Sequence, residues 1–305
     1  MVSVVRRLFP FAGSNPANGG GLHPAAVLLA CATACANRGL PRDTTIETTY
    51  PVGAYVGSLP RELRVVTFNV HRETARKVIE GIENDRALRD ADLIVLQEVH
   101  RDESVPDWCS SACALGKRLG YHAVYAPGHA QGDGSDGVAI VSRAPIRSMQ
   151  VIELPYYNVH VNSGRRIALA ATIEVGAEPI TVYAVHLDNR LTVRERRRQV
   201  LPVLEHARRQ TTRVLIAGDF NTGPATWITH LIPIITTTQD NRLEALVRKF
   251  GFATPVSESG PTHRYLGMKL DAIYTRGFET VKFATADARN VSDHLALWAV
   301  VRPLP

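Results

Sequence analysis

The sequence predicts a layered domain of mixed helix and strand, an α+β or α/β/α arrangement, over roughly residues 61–305. Three observations carry this. Short apolar runs rich in Val, Ile and Leu recur along the chain and end at turn-forming residues, which is how buried strands read. Only two stretches show helical spacing. A content of 45% hydrophobic and 21% charged residues supplies a core and excludes a disordered chain. No internal repeat or low-complexity segment is present.

The elements follow in order. Residues 1–36 read as a signal or lipoprotein leader: Arg6 and Arg7 precede the apolar run from Ala25 to Ala36, which is too short to span a membrane. Ala34-Cys35-Ala36 fits an A-x-A cleavage site, and LLAC, ending at Cys31, resembles a lipobox. Export is the expectation, and a cytosolic tail is the alternative. Residues 37–60 are polar and aperiodic and read as a linker. RVVTFNV (Arg64 to Val70) is the first strand. Residues 76–91 read as one helix with Val78, Ile82 and Leu88 in the core. Asp92 to Val99 is a second strand, and residues 137–143, 165–175 and 180–187 give three more.

Residues 192–210 read as the second helix. Thr192 and Glu195 form a capping box, and Val193, Val200, Leu204 and Ala207 share a face. Pro202 is expected to kink it. Strands at 213–220, 269–277 and 293–301 complete the set. Past the leader, no segment is long and apolar enough for a transmembrane helix. Cys109 and Cys113 stand alone as C-x3-C and cannot close a four-ligand zinc site. They would be bridged in an exported protein and free thiols otherwise.

The net charge of +6 is concentrated: Asn189 to Arg213 holds eight arginines against Glu195 and Glu205. Such a stretch suits a phosphate ester or nucleic acid, although a solvated helix face is the more ordinary reason for a charge run alone.

Polar residues gather at strand ends. VVTFNV carries Asn69, LIVLQEV carries Glu98, and VYAVHLDN carries His186 with Asp188 and Asn189. LIAGDFN carries Asp219 and Asn221, KLDAIYTRG carries Asp271, and VSDHLALWAV carries Asp293 and His294. One such residue is ordinarily a cap or a turn, and Asp219 with Asn221 could simply bond their own backbone. Six strands with the same habit imply convergence on one face. Carboxylates crowded there repel one another, and a hard divalent cation relieves the repulsion. Oxygen-rich donors without cysteine favour Mg²⁺ or Mn²⁺.

In this order, TFNV, LQEV, VHLDN, GDFN, LDAIYTRG and SDH resemble the endonuclease/exonuclease/phosphatase superfamily, over roughly Arg61 to Val301. The resemblance implies a four-layered α/β sandwich, two mostly antiparallel sheets packed face to face with helices outside. It implies metal-dependent hydrolysis of phosphate esters by water. Glu98 would be the principal metal ligand, with Asn69 beside it and Asp293 assisting. Asp219 would orient and deprotonate the water, and Asn221 would hold that water or a phosphate oxygen. His294 would contact the scissile phosphate with its tautomer fixed by Asp271, and His186 would donate to a phosphate oxygen or the leaving group. GDGSDGVAIVSRAPI would form the rim, and Arg165 or Arg166 would support the site, Arg166 as a substrate contact.

The substrate is the open question. The expectation is a monomeric phosphodiesterase with nucleic acid favoured. A sphingomyelin or phospholipid phosphodiesterase and a phosphomonoesterase are the alternatives within the fold. A non-catalytic binding protein is the alternative outside it, and the intact residue set opposes that.

Overall fold

The structure, a computed structural model, describes residues 39–51, 62–104, 108–160, 164–175, 178–223, 225–236, 239–288 and 291–305. The expected leader, with Cys31 and Cys35, lies outside them. The first half of the described chain runs β1 (Glu47–Thr49), β2 (Leu63–Asn69), α1 (Ala75–Glu83), α2 (Arg86–Arg89), β3 (Leu93–Asp102), α3 (Ser111–Leu119), β4 (His122–Gln131) and β5 (Gly134–Ser142). It continues with β6 (Ile146–Glu153), β7 (Ile167–Val175), β8 (Glu178–His186), α4 (Val193–Arg208) and β9 (Arg213–Asp219). The hairpin β10 (Ala225–Ile228) and β11 (Ile232–Ile235), α5 (Gln239–Lys249), β12 (Asp271–Arg276), β13 (Phe278–Ala286) and β14 (Ala296–Pro303) complete it.

Besides the two-stranded β10-β11 pair, two large sheets form, in the orders β1-β4-β5-β3-β2-β14-β13 and β12-β9-β8-β7-β6. Neighbours are antiparallel except β2 with β3 and β8 with β9. Alternation along β2 shows why its sequence reads as an unbroken apolar run. Val65 enters a core shared with Val182 and Leu215 of the second sheet. Val66 and Phe68 face the other way, onto Val78 and Ile82 of α1 and Leu115 of α3. Both faces are covered, so no polar alternation is needed. On the outside of the second sheet, α4 contributes Val200 and Leu204 and α5 contributes Leu243 and Val247. The layers are therefore helix, sheet, sheet, helix, the α/β sandwich expected.

Some local expectations change. The helix read over 76–91 breaks at Asn84, where Asp85 caps a new turn by accepting from the amides of Ala87 and Leu88 at 2.7 and 3.4 Å. Helix α4 continues through Pro202, with Val200, Val203 and Leu204 buried on either side of it. Its capping box is present, while Val193 is only half-buried and Arg196 and Gln199 take places on the buried face. Part of the stretch read as linker is structured: β1 pairs with β4, Glu47 opposite Tyr125. Arg101, wholly buried, donates to the carbonyls of Asp43 and Thr45 and ties this segment down. Cys109 and Cys113 are unbridged, and burial pushes the Cys113 thiol up to about 12.

Candidate active site

The two parallel pairs place the site. Parallel neighbours end at the same edge, so their last residues lie side by side. Asn69, the last residue of β2, pairs with Gln97 within β3, just before the irregularity at Glu98, and His186 pairs with Asp219 at the ends of β8 and β9. Antiparallel β12 begins at this edge, with Asp271 opposite Asp219, and His294 lies two residues before β14.

Two backbone devices refine the placement. Leu96 and Val99 both face the helix layer, although strict alternation would separate them. The residue between Gln97 and Val99 is a β-bulge, Glu98, with φ 49°. The bulge frees its carboxylate from the pleat and aims it at the site. In β9, a Cβ on Gly218 would stand 1.9 Å from the Val185 carbonyl oxygen, so only glycine lets β8 and β9 close at this point.

The side chains then meet across the sheets. Asn69 Nδ2 donates to Asp219 Oδ2 at 3.1 Å and lies 3.4 Å from Glu98 Oε1. His294 Nδ1 donates to Asp271 Oδ2 at 2.9 Å, and its Nε2 lies 3.8 Å from Asp219 Oδ2. His186 Nε2 lies 3.7 Å from that same oxygen and 4.0 Å from Glu98 Oε1. Asp219 Oδ1 accepts the Asn221 amide at 2.9 Å, so the turn reading of this pair holds as well. Asn221, at φ 51°, spends Nδ2 on the Leu187 carbonyl and pins the loop.

The electrostatics follow from burial and neighbours. Burial pushes the Asp219 carboxyl up to about 7; His294 opposes this, and Asp271 opposite adds to it. Burial alone would lower His294, but Asp271, with Asp219 and Asp293 behind it, lifts it to about 10 and keeps the ring charged. Burial would raise Glu98, yet Arg72, His186, His71 and Arg166 hold it near 2. His186 is pushed well down by burial and by Arg166.

Arg166 reaches the site, but toward His186. Its Nε donates to Asp188 Oδ1 at 2.6 Å and its Nη1 to His186 Nδ1 at 3.2 Å. A guanidinium only donates, so Nδ1 carries the lone pair and Nε2 carries the hydrogen. Arg165 instead holds Glu153 and the Pro127 carbonyl. Asp136 and Gly137 line a small cleft with Arg166 and His186, so the glycine-rich segment does reach the rim.

Some participants were not anticipated as site residues. Gln199 Nε2 donates to Asp188 Oδ2 at 2.7 Å, and buried Arg196 donates to Gln239 and to the Asn189 carbonyl. A signal existed: Arg196 and Gln199 occupy the buried face of α4 at helical spacing. Arg72 lies 3.3 Å from Glu98 Oε2. His263 Nε2 lies 3.4 Å from Asp293 Oδ2, and His71 Nδ1 lies 3.9 Å from Asp293 Oδ1. Asp293 therefore belongs to a histidine group beside the Asn69–Glu98 pair.

The donor set suits a hard cation. Asp219, Asp271 and His294 each offer one atom within 4.8 Å of the others. Asp271 Oδ1 is buried without a hydrogen-bond partner in the protein, a costly state that a cation relieves, whereas the charge on Glu98 Oε2 is met by Arg72.

Comparison with known proteins gives the same picture. The family model described as "Endonuclease/Exonuclease/phosphatase family" matches residues 66–294. No curated protein matches the chain. An endonuclease/exonuclease/phosphatase from Beutenbergia cavernae superposes with a TM-score of 0.64 at 22% identity, covering 80% of this chain and 72% of its own. D. rerio TDP2 complexed with single-strand DNA product gives 0.58 at 16% identity, covering 79% and 99%. The human Nocturnin catalytic domain with a bound sulfate anion gives 0.58 at 17%, covering 86% and 98%. The chain belongs to the endonuclease/exonuclease/phosphatase family, whose members hydrolyse phosphoric esters.

Proposed function

We propose that the protein is a divalent-metal-dependent phosphodiesterase, with nucleic acid as its favoured substrate. One observation carries this: the Nε2 atoms of His186 and His294 stand 3.7 and 3.8 Å from a single buried oxygen, Asp219 Oδ2. These spacings are too long for direct hydrogen bonds and short enough for all three groups to touch one shared oxygen atom.

Asp219, poised near neutrality, takes the proton of the attacking water, and Asn69 holds its carboxylate in place. His294 is the charged donor to the phosphoryl oxygens, and Asp271 fixes its ring. His186, neutral with hydrogen on Nε2, donates to a phosphoryl oxygen or to the departing oxygen. Glu98 and Asn69, with Asp293, would hold Mg²⁺ or Mn²⁺. When bound, the cation supplies positive charge against the developing negative oxygens. The basic stretch around α4 and the DNA product bound by the TDP2 relative favour nucleic acid. A phospholipid or sphingolipid phosphodiester is the second reading, favoured by the apolar β10–β11 hairpin that closely follows Asn221.

The test is hydrolysis of plasmid DNA, RNA, sphingomyelin and a bis-aryl phosphodiester with Mg²⁺ or Mn²⁺, beside Asp219→Ala. Metal-dependent turnover lost in the variant supports the reading, and no turnover on any of the four overturns it. Cleavage of sphingomyelin alone overturns the nucleic-acid preference. Export is part of the proposal; N-terminal sequencing that returns an intact Met1 overturns it.

A further inference from the structure

The β10–β11 hairpin sits where a strand pair has little reason to be apolar. Ile228, Leu231, Ile232, Ile234 and Ile235 are 48, 53, 59, 44 and 71% exposed. No Asp, Glu, Lys or Arg occurs between Ala225 and Thr236. The pairing sorts the ribbon into two faces. Trp227 and Pro233 are partners on one face, and Trp227 is buried with the Arg190 guanidinium 4.9 Å from its ring centre. Thr226, Ile228, Ile232 and Ile234 lie on the other face, where the three isoleucines are open to solvent.

Exposed aliphatic side chains so close together mark a surface that something apolar covers. A nucleic acid offers phosphates and stacking bases, and this face has neither an arginine nor an aromatic ring to meet them. A specific protein partner ordinarily meets aromatic and arginine anchors, which this face also lacks. Hydrocarbon requires only apolar area. What flanks the hairpin decides the kind of hydrocarbon surface. Its tip is fixed to the first turn of α4, His230 Nε2 being 3.1 Å from Glu195 Oε1. Arg194 adjoins that glutamate, and Arg194 and Arg198, four residues apart on one side of α4, are both exposed. An aliphatic plate bordered by exposed arginines is what an anionic lipid surface attracts.

We propose that the β10–β11 hairpin docks the enzyme onto anionic phospholipid bilayers, with Ile228, Leu231, Ile232 and Ile234 entering the acyl boundary and Arg194 and Arg198 meeting the headgroups. Docking does not depend on which phosphodiester is cleaved. It brings the Asp219–Asn221 turn, four residues before β10, close to the membrane plane, so a lipid phosphodiester or a polymer held at the surface is presented directly to the site.

The test is flotation of the full chain with phosphatidylcholine vesicles, with and without phosphatidylglycerol. It compares the wild type with an Ile232→Glu/Ile234→Glu variant and an Arg194→Glu/Arg198→Glu variant. Circular dichroism and the melting temperature monitor folding, which these exposed positions should leave intact. The expected result is wild-type binding that requires phosphatidylglycerol and falls about tenfold or more in each variant. Because binding is read without turnover, an inactive protein that still floats leaves docking intact while overturning the hydrolase reading. Failure of the wild type to float, or unchanged flotation of the Ile232→Glu/Ile234→Glu variant, overturns the proposal. So does a concentration-dependent dimer in sedimentation velocity that the isoleucine variant abolishes, which would make the face a contact between copies.

Discussion

Two of the buried charged clusters among the described residues contrast, and only the second gathers the candidate site residues. Around Arg101, every guanidinium nitrogen finds an acceptor: Nε and Nη2 reach Glu103 at 3.1 and 2.7 Å, and Nη1 reaches the Thr45 carbonyl at 3.0 Å. Trp108 and Tyr125 stack on it, and Ser135 donates to Glu103. Opposite charges are matched and nothing is left over. Around Asp219 the matching is incomplete: Asp219 faces Asp271 across a strand pair, Glu98 stands close by, and Asp271 Oδ1 has no hydrogen bond. Burial of charge is therefore a poor marker of chemistry. Crowded like charges with unused lone pairs are a better one.

The contrast can be broken at several points. The largest effect is expected at the crowded cluster: Asp219→Asn or His294→Ala should lower turnover roughly a thousandfold or more while the protein stays folded. Steady-state kinetics with a calorimetric melt check this, and a variant that unfolds instead would make the cluster structural. Arg101→Ala should do the reverse, costing about 3–5 kcal/mol of stability by stranding buried Glu103. Its turnover per folded molecule, measured well below the melting temperature, should stay near wild type.

Arg166→Lys is intermediate. A lysine cannot serve Asp188 and His186 together, so turnover should fall roughly ten- to a hundredfold and the pH–rate profile should shift as His186 loses its fixed tautomer.

The smallest effect is on the pH dependence of stability without metal. Asp219 holds its proton more tightly folded than unfolded, so its contribution is complete below 3.8 and is lost as pH rises through about 7. His294 behaves alike, complete below 6.5 and lost as pH rises through about 10. Asp219→Asn removes the first of these losses. The melting temperature of the variant relative to wild type should therefore be higher at pH 8 than at pH 4, and equal differences at both would refute the assignment.

The sequence made strands such as β2, β3 and β9 legible because both of their faces are buried and apolar. It concealed β6, an edge strand with half-exposed residues, and β4, where Pro127 and Gly128 interrupt the run. The strand-end residues were legible because turn chemistry does not require six strands to share it. The Glu98 bulge was not, since one extra residue leaves no periodic trace in so short a strand. Gln199 and Arg196 were hidden for another reason. Their partners come from separate elements, and only the α4 packing brings them together.

The Asn69–Asp219 bond joins residues 150 apart in sequence, and β2, which carries Asn69, takes its second neighbour from β14 near the end of the chain. Assembly of the candidate site is consequently a late event in folding. Helices and hairpins can form locally, but the oxygen cluster exists only once distant halves of the chain have docked and the final strand has paired with the first long one. On refolding, hydrolytic activity should return after the far-ultraviolet signal, and a nascent chain that has not yet delivered β14 should be inert.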